Sequence, residues 1–241
     1  MNDLIRAELF KARAIRTTWV LAAVAPVFCA LWATTQSLLP APSDAIRLAN
    51  VYNMAQQAYI FTLILGILGM SGEYRHQTIT WAFLVTPRRG AVVTAKLVAY
   101  GLIGLAVAAV SALVTLTAGW LLLTARGHPA MNGDVVLILT GAMLGTAIYA
   151  PLGVALGALI RNRLLAVSLA GLLFLYGDAF LAWLVPDVFT WLPTGAARAL
   201  GGMRLDNGSL LPAWGGALLF TAYVAAFILI ARLLTIRRDV T

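Results

Sequence analysis

Apolar residues run through this chain in blocks of about 20, separated by short polar stretches, and a block of that length is what a helix needs to cross the ~30 Å hydrocarbon core of a bilayer. Six blocks qualify: residues 18–35, 54–71, 97–123, 135–160, 164–185 and 213–231. The second is the weakest, because Gln56 and Gln57 interrupt its start. The third and fourth exceed the minimum, which predicts tilt or protrusion. Pro26 and Pro151 fall inside spans and predict kinks, which membrane helices tolerate. Glycines recur four apart at Gly141 and Gly145 and at Gly153 and Gly157, and closer together at Gly66 and Gly69 and at Gly101 and Gly104. Small residues let helices approach closely in lipid, so these faces pack against other helices, within one chain or between two.

Composition agrees with the pattern. Hydrophobic residues make up 61% of the chain and charged residues 11%, against roughly 25% charged in an average soluble domain. The whole chain, 1–241, reads as one all-α membrane domain. Its single cysteine, Cys29, lies within a span, which excludes an internal disulfide framework. Six spans put both termini on one side of the membrane. Of the 17 Lys and Arg residues, only Arg47, Arg126, Arg198 and Arg204 fall on the opposite side. The base-rich side is cytoplasmic, so both termini are expected inside. The net charge of +8 is spread along the membrane edges rather than gathered in one patch, which argues against nucleic acid as a partner.

The polar stretches differ in kind. In residues 1–17, Ile5, Leu9, Ala12 and Ile15 recur at helical spacing, with Arg6, Lys11, Arg13 and Arg16 over much of the remaining surface. This predicts an interfacial amphipathic helix, although Phe10 and Arg16 fall on the wrong faces. It reads equally as a contact for a cytoplasmic partner and as a plain basic anchor. A polar start of this length, followed by several spans, points to a retained first span rather than a signal peptide. Outside, residues 36–53, with Pro40, Pro42 and Asp44, predict a short polar connection, and residues 124–134 a simple turn. Residues 186–212 are semi-apolar, with Trp191, Leu192 and a short helix expected near 195–200. Such a stretch is too broken to span and too apolar for a free loop, which predicts a re-entrant or interfacial segment. The "NGS" at Asn207 matches a glycosylation acceptor, a pattern short enough to occur by chance.

Little of the chain carries chemistry. There is no G-x-x-x-x-G-K-[ST] phosphate loop and no H-E-x-x-H helix, and His76 and His128 fall at opposite membrane faces. No nucleophile with a base and no acidic cluster is visible, so no catalytic, cofactor or metal residue is assigned. The acid within a span is Asp178, about 21 Å along its helix from Leu164. An intramembrane acid is a polar-site candidate by default; the bland reading is hydration or pairing with Arg198 or Arg204.

The most polar part of the first half is "GMSGEYRHQTITWAFLVTPRRGAVVTAK", residues 69–96, between spans two and three on the cytoplasmic side. Pro87 disfavours helix just before it, so residues 73–86 predict a short helix opened by Glu73, where a carboxylate suits the dipole. Ile79, Trp81, Phe83 and Val85, flanked by bases, suit a membrane surface or a partner's groove.

A basic amphipathic start, six spans, and Gly72, Glu73, Thr78, Pro87, Arg88, Arg89 and Lys96 after span two resemble the permease subunits of type-2 ABC transporters. The departure is glutamine–threonine at 77–78, where many members have glycine–threonine. The resemblance implies two permease subunits, the same or related chains, embedded in membrane lipid. Each would engage a separate ATPase subunit through a cytoplasmic coupling segment, residues 73–89, whose contact residues are Glu73, Arg75, Thr78, Trp81, Phe83, Pro87, Arg88 and Arg89. The interfacial helix would join that contact, with Glu73 paired to Arg13 or Arg16. ATP and Mg would bind the partner, and no cofactor this chain. The small outer loops favour export, and apolar spans favour a lipophilic or amphipathic substrate, in a bacterial cell (inner) membrane. The alternative is a polytopic membrane enzyme or a non-transporting assembly protein.

Overall fold

A computed structural model of the chain describes residues 1–75, 89–160, 162–177, 180, 183–203 and 210–237. Among the described residues there is helix and no strand. Helix α1 (Asn2–Ala14) ends at Ile15, whose extended backbone (φ −91°, ψ 118°) turns the chain into α2 (Arg16–Leu38). The Trp19 indole N–H donates to the Arg13 carbonyl at 2.8 Å and ties this elbow. Helix α3 (Asp44–Asn53) is capped by Ser43, whose hydroxyl accepts from the Ile46 N–H. It continues through a 3₁₀ turn (Met54–Ala58) into α4 (Tyr59–Arg75). Then follow α5 (Arg89–Ala125), α6 (Asp134–Leu159) and α7 (Arg163–Gly171), which runs on as a π turn (Leu172–Gly177). Two short helices, α8 (Pro186–Phe189) and α9 (Pro193–Leu200), precede α10 (Ala213–Arg237).

Five stretches among the described residues are long and apolar enough to cross a membrane: Arg16–Leu38, Asp44–Glu73, Gly90–Ala125, Asp134–Leu159 and Ala213–Leu234. Arg163–Gly177 is apolar but shorter. The chain is therefore an all-α integral membrane protein with five to six long apolar helices. Two expectations change. Residues 36–53 are not simply a polar connection, because α3 extends the second span ten residues outward. The predicted span 164–185 shows described helix as far as Gly177, and positions 178–179 and 181–182 lie outside the described residues.

The weakest span by hydropathy is the centre of the fold. Within an apolar 18-residue stretch of the Asp44–Glu73 span 72% is buried, against 22% for the matching stretch of α2 and 17% for that of α10. Buried polar groups are affordable there because other helices, not lipid, surround them. The outer helices instead expose Trp19, Val24 and Leu31 or Trp214, Leu218 and Leu229, faces suited to an apolar solvent. Glycines set the closest approach. A methyl group at Gly66 would collide with the Ala150 carbonyl, and one at Gly153 with the Leu63 carbonyl, so α4 and α6 pack backbone to backbone. At these positions the glycine faces serve packing within the chain. On the side of that contact toward Tyr59, the start of α4, Tyr149 collects Tyr59, Phe174 and Phe220, with ring centroids 4.9, 5.8 and 4.7 Å away. Ala12 of α1 and Ala231 of α10 share a buried cluster with Met70 and Val92, so both terminal helices converge on one end of the bundle, hereafter the basal end.

Candidate functional site

At the basal end the last turn of α4, the second turn of α5 and the middle of α1 meet in a cluster of four charges. Lys96 of α5 donates to Glu8 of α1, to Glu73 Oε1 of α4 at 3.0 Å and to the Gly69 carbonyl at 3.4 Å. Lys11 donates to Glu8 Oε1 at 2.7 Å and to Glu73 Oε1 at 3.1 Å. The side chains of Lys96, Glu8 and Glu73 are 3%, 6% and 11% exposed, and only Lys11, at 50%, reaches solvent. Such groups are buried only when paired, and two carboxylates with two ammonium groups leave no formal net charge. The Tyr100 ring closes one side, its centroid 5.7 Å from Lys96 Nζ.

The sequence positions explain how the cluster forms. Glu73 lies within α4 rather than opening a new helix, and the two lysines offset its charge. Lys96 does not open the third helix. Helix α5 begins at Arg89, has 37 residues, and carries Lys96 two turns inside. Burial pushes the Glu8 carboxyl up, but Lys96 and Lys11 outweigh it and hold Glu8 below the ordinary 4.5. Burial pushes Lys11 down, and Glu8 and Glu73 outweigh that, holding it above 10.5.

Glu73 is therefore paired with Lys11 and Lys96, not with Arg13 or Arg16. Arg6 and Arg13 stand exposed on α1 and Arg16 stands exposed at the start of α2, and none of the three pairs with the cluster's carboxylates among the described residues. Thr78, Trp81, Phe83, Pro87 and Arg88 lie outside the described residues, as does Asp178. What is described is their flank: α4 runs through Arg75 and α5 resumes at Arg89. Glu8 was missed. Its signal was an acid in the middle of a helix rich in bases, three positions before Lys11 and on the same face as Ala12. Ala12 is buried and Ile5 and Leu9 half-buried as the apolar stripe predicts, whereas Ile15 sits in the exposed elbow.

A second polar set lies at the opposite, distal end. Gln56, in the 3₁₀ turn, donates to the Ala197 carbonyl at 2.6 Å, and Asn53 to the Gly201 carbonyl at 2.8 Å. The Ala197 carbonyl, which also accepts from the Gly201 N–H at 3.1 Å, lies in the last turn of α9, and Gly201 is the residue that caps it. The carbonyl of Gln56 accepts from the Thr146 hydroxyl at 3.3 Å. Gly141 and Gly201 provide the clearance that lets α9 fold back onto α6 and the 3₁₀ turn. The described part of 186–212 thus packs inward, with Ala196, Ala197 and Ala199 buried.

Against known families, the model of the ABC-2 family transporter protein matches residues 4–177, from α1 to the π turn, and so contains the whole basal cluster. Comparison with curated proteins gives no significant match.

Proposed function

The chain belongs to the ABC-2 transporter family and is a multi-pass membrane subunit of an ABC transporter; from that premise we propose that it is a permease coupled through residues 73–89 to a separate ATPase, and that it exports a lipophilic or amphipathic substrate. One observation carries the reading. The helices that flank residues 76–88 are joined at their root by Glu73 and Lys96, and both are held to α1 through Glu8 and Lys11. A displacement of the segment then moves α4, α5 and α1 as one body. Helix α4 is continuous with the 3₁₀ turn, whose Gln56 holds α9, so a push at the basal end has a physical route to the distal re-entrant helix.

ATP and Mg belong to the ATPase in this scheme, and a second permease, the same chain or a relative, completes the path through the lipid. The single membrane domain sits in a bacterial inner membrane with both termini cytoplasmic. This orientation is supported by Arg6, Lys11, Arg13, Arg16, Lys96 and Arg163 at basal helix ends, against Arg47, Arg126 and Arg198 distally. Export is supported by distal connections too small for a binding domain.

The test is a gentle-detergent pull-down of the tagged chain from its native cell, with partner identification and an ATPase assay. Recovery of a protein carrying a phosphate-binding loop, lost when residues 76–88 are scrambled without loss of membrane insertion, supports the reading. A preparation without ATPase, even after cross-linking, overturns it in favour of a membrane enzyme or assembly protein.

A further inference from the structure

Helix α1 has two faces, and the fold uses one of them. Ile5, Leu9 and Ala12, the apolar stripe that suggests an interfacial helix, turn inward with Glu8, and Ala12 shares a buried cluster with Met70, Val92 and Ala231. That stripe is spent on protein. The opposite face carries Arg6, Phe10 and Arg13, which spacings of four and three place side by side. All three are exposed, Phe10 by 76%. A bare aromatic ring between two guanidinium groups does nothing to hold this fold together.

The packing of α1 fixes where that face looks. Glu8, Lys11 and Ala12, little more than one turn, reach α4, α5 and α10. Each of those helices continues past the contact: α4 to Arg75, α5 from Lys96 by about 10 Å to Arg89, and α10 from Ala231 by about 9 Å to Arg237. Helix α1 therefore packs against the flank of the bundle and not beneath its ends, and its outer face looks sideways. Trp19 sets the level. Its indole N–H donates to the Arg13 carbonyl at 2.8 Å, while 62% of the residue stays exposed on α2, a span whose Val20 and Val24 are exposed too. A tryptophan with its body outside and its N–H satisfied suits the headgroup boundary, which puts the last turn of α1 at that depth. Arg16, exposed at the start of α2, lies between Arg13 and Trp19 in the chain.

We propose that Arg6, Phe10, Arg13 and Arg16 form a docking surface for anionic phospholipid, with Phe10 inserted at the headgroup–acyl boundary and the guanidinium groups on lipid phosphates. Three arginines against one exposed acid, Asp3, leave the outer face and the elbow with two net positive charges. Lys11 adds none, because Glu8 and Glu73 hold it. Charge of that sign fits an anionic surface, and an exposed aromatic side chain among the bases fits a lipid one. Guanidinium groups take phosphate oxygens in pairs. The surface needs only the membrane, so it goes beyond the coupling reading and stands with or without a bound ATPase.

Spin labelling of the full chain tests it. Phe10→Cys, with Cys29→Ser to remove the buried thiol, is labelled and reconstituted in vesicles of phosphatidylglycerol and phosphatidylcholine with identical acyl chains. The expected label is open to dissolved oxygen and shielded from an aqueous nickel chelate, at a depth of about 5–10 Å. A label open to the chelate overturns the surface in favour of a cytoplasmic partner, and a label closed to both reagents overturns it in favour of contact with another protein chain. Native mass spectrometry from the same lipid mixture reads the headgroup. Phosphatidylglycerol should be retained over phosphatidylcholine, with Arg6→Gln and Arg13→Gln each lowering the ratio about fivefold, the weight of one base at a charged surface. Arg13→Lys, which keeps the charge, should leave the ratio near that of the parent. Equal retention of the two lipids overturns the proposal, as does a preference unchanged when both arginines are replaced by glutamine.

Discussion

Lys96→Met removes the one buried ammonium that joins α1, α4 and α5. Lys96 is 3% exposed and contacts Glu8, Glu73 and the Gly69 carbonyl. Methionine matches the lysine stem in length, so little of the loss comes from packing. The cost is electrostatic. Glu8 and Glu73 keep only Lys11 between them, and Lys11 is half exposed and partly screened. Removing one partner of a buried ion pair costs about 3–5 kcal/mol, and the surviving Lys11 contacts place this case near about 3 kcal/mol. The diagnostic partner is Glu8→Gln. In the double variant one carboxylate, Glu73, faces one ammonium, Lys11, neutrality returns, and the loss shrinks to about 1 kcal/mol. Equilibrium unfolding in detergent, followed by tryptophan fluorescence, measures both variants. Proteolysis within α1 reports whether that helix detaches first. A single variant within about 0.5 kcal/mol of the parent, or a double variant no better than the single, refutes the idea that the charges act as one unit.

The anchoring of α1 also depends on pH in a calculable direction. Glu8, lowered in the fold, stabilises above 4.5 and loses its contribution as pH falls through its folded value; Lys11, raised, stabilises below 10.5 and loses it only as pH rises beyond. Protection of the α1 amides, taken relative to their intrinsic pH-dependent exchange, should therefore be level between those limits and fall on the acid side below 4.5, and a fall near neutrality would contradict the assignment. Gln56→Leu removes the side-chain donor to the Ala197 carbonyl, which keeps the Gly201 N–H, at a cost of about 1 kcal/mol, seen as faster exchange in α9; unchanged protection there would mean that α9 is held by packing alone. Gly153→Ala drives a methyl group into the Leu63 carbonyl, and the overpacking costs about 1–3 kcal/mol. Gly171→Ala, where nothing lies within 4 Å, should be neutral or stabilising by up to about 1 kcal/mol, and equal effects at the two sites would sink the close-packing account.

Much of this protein could be read from its sequence alone, because the bilayer imposes a simple rule. Apolar runs of sufficient length become helices. The helix at the start of the chain, the short helix near 195–200 and the glycine faces follow from local composition and spacing, and the residues Gly72, Glu73 and Lys96 carried the family resemblance. Contacts across the chain did not follow. Glu73 meets Lys11 and Glu8 meets Lys96 over separations of 62 and 88 residues, and no local pattern says which base an acid will find. Gln56 and Gln57 read as flaws in an apolar run, yet Gln56 holds a carbonyl of α9, 141 residues away, inside the most buried span. Hydropathy measures a residue's affinity for lipid, and only the assembled helices decide whether lipid or another backbone surrounds it. The same holds for Lys96: its place two turns inside α5 was legible only once α4 and α1 brought two carboxylates to it.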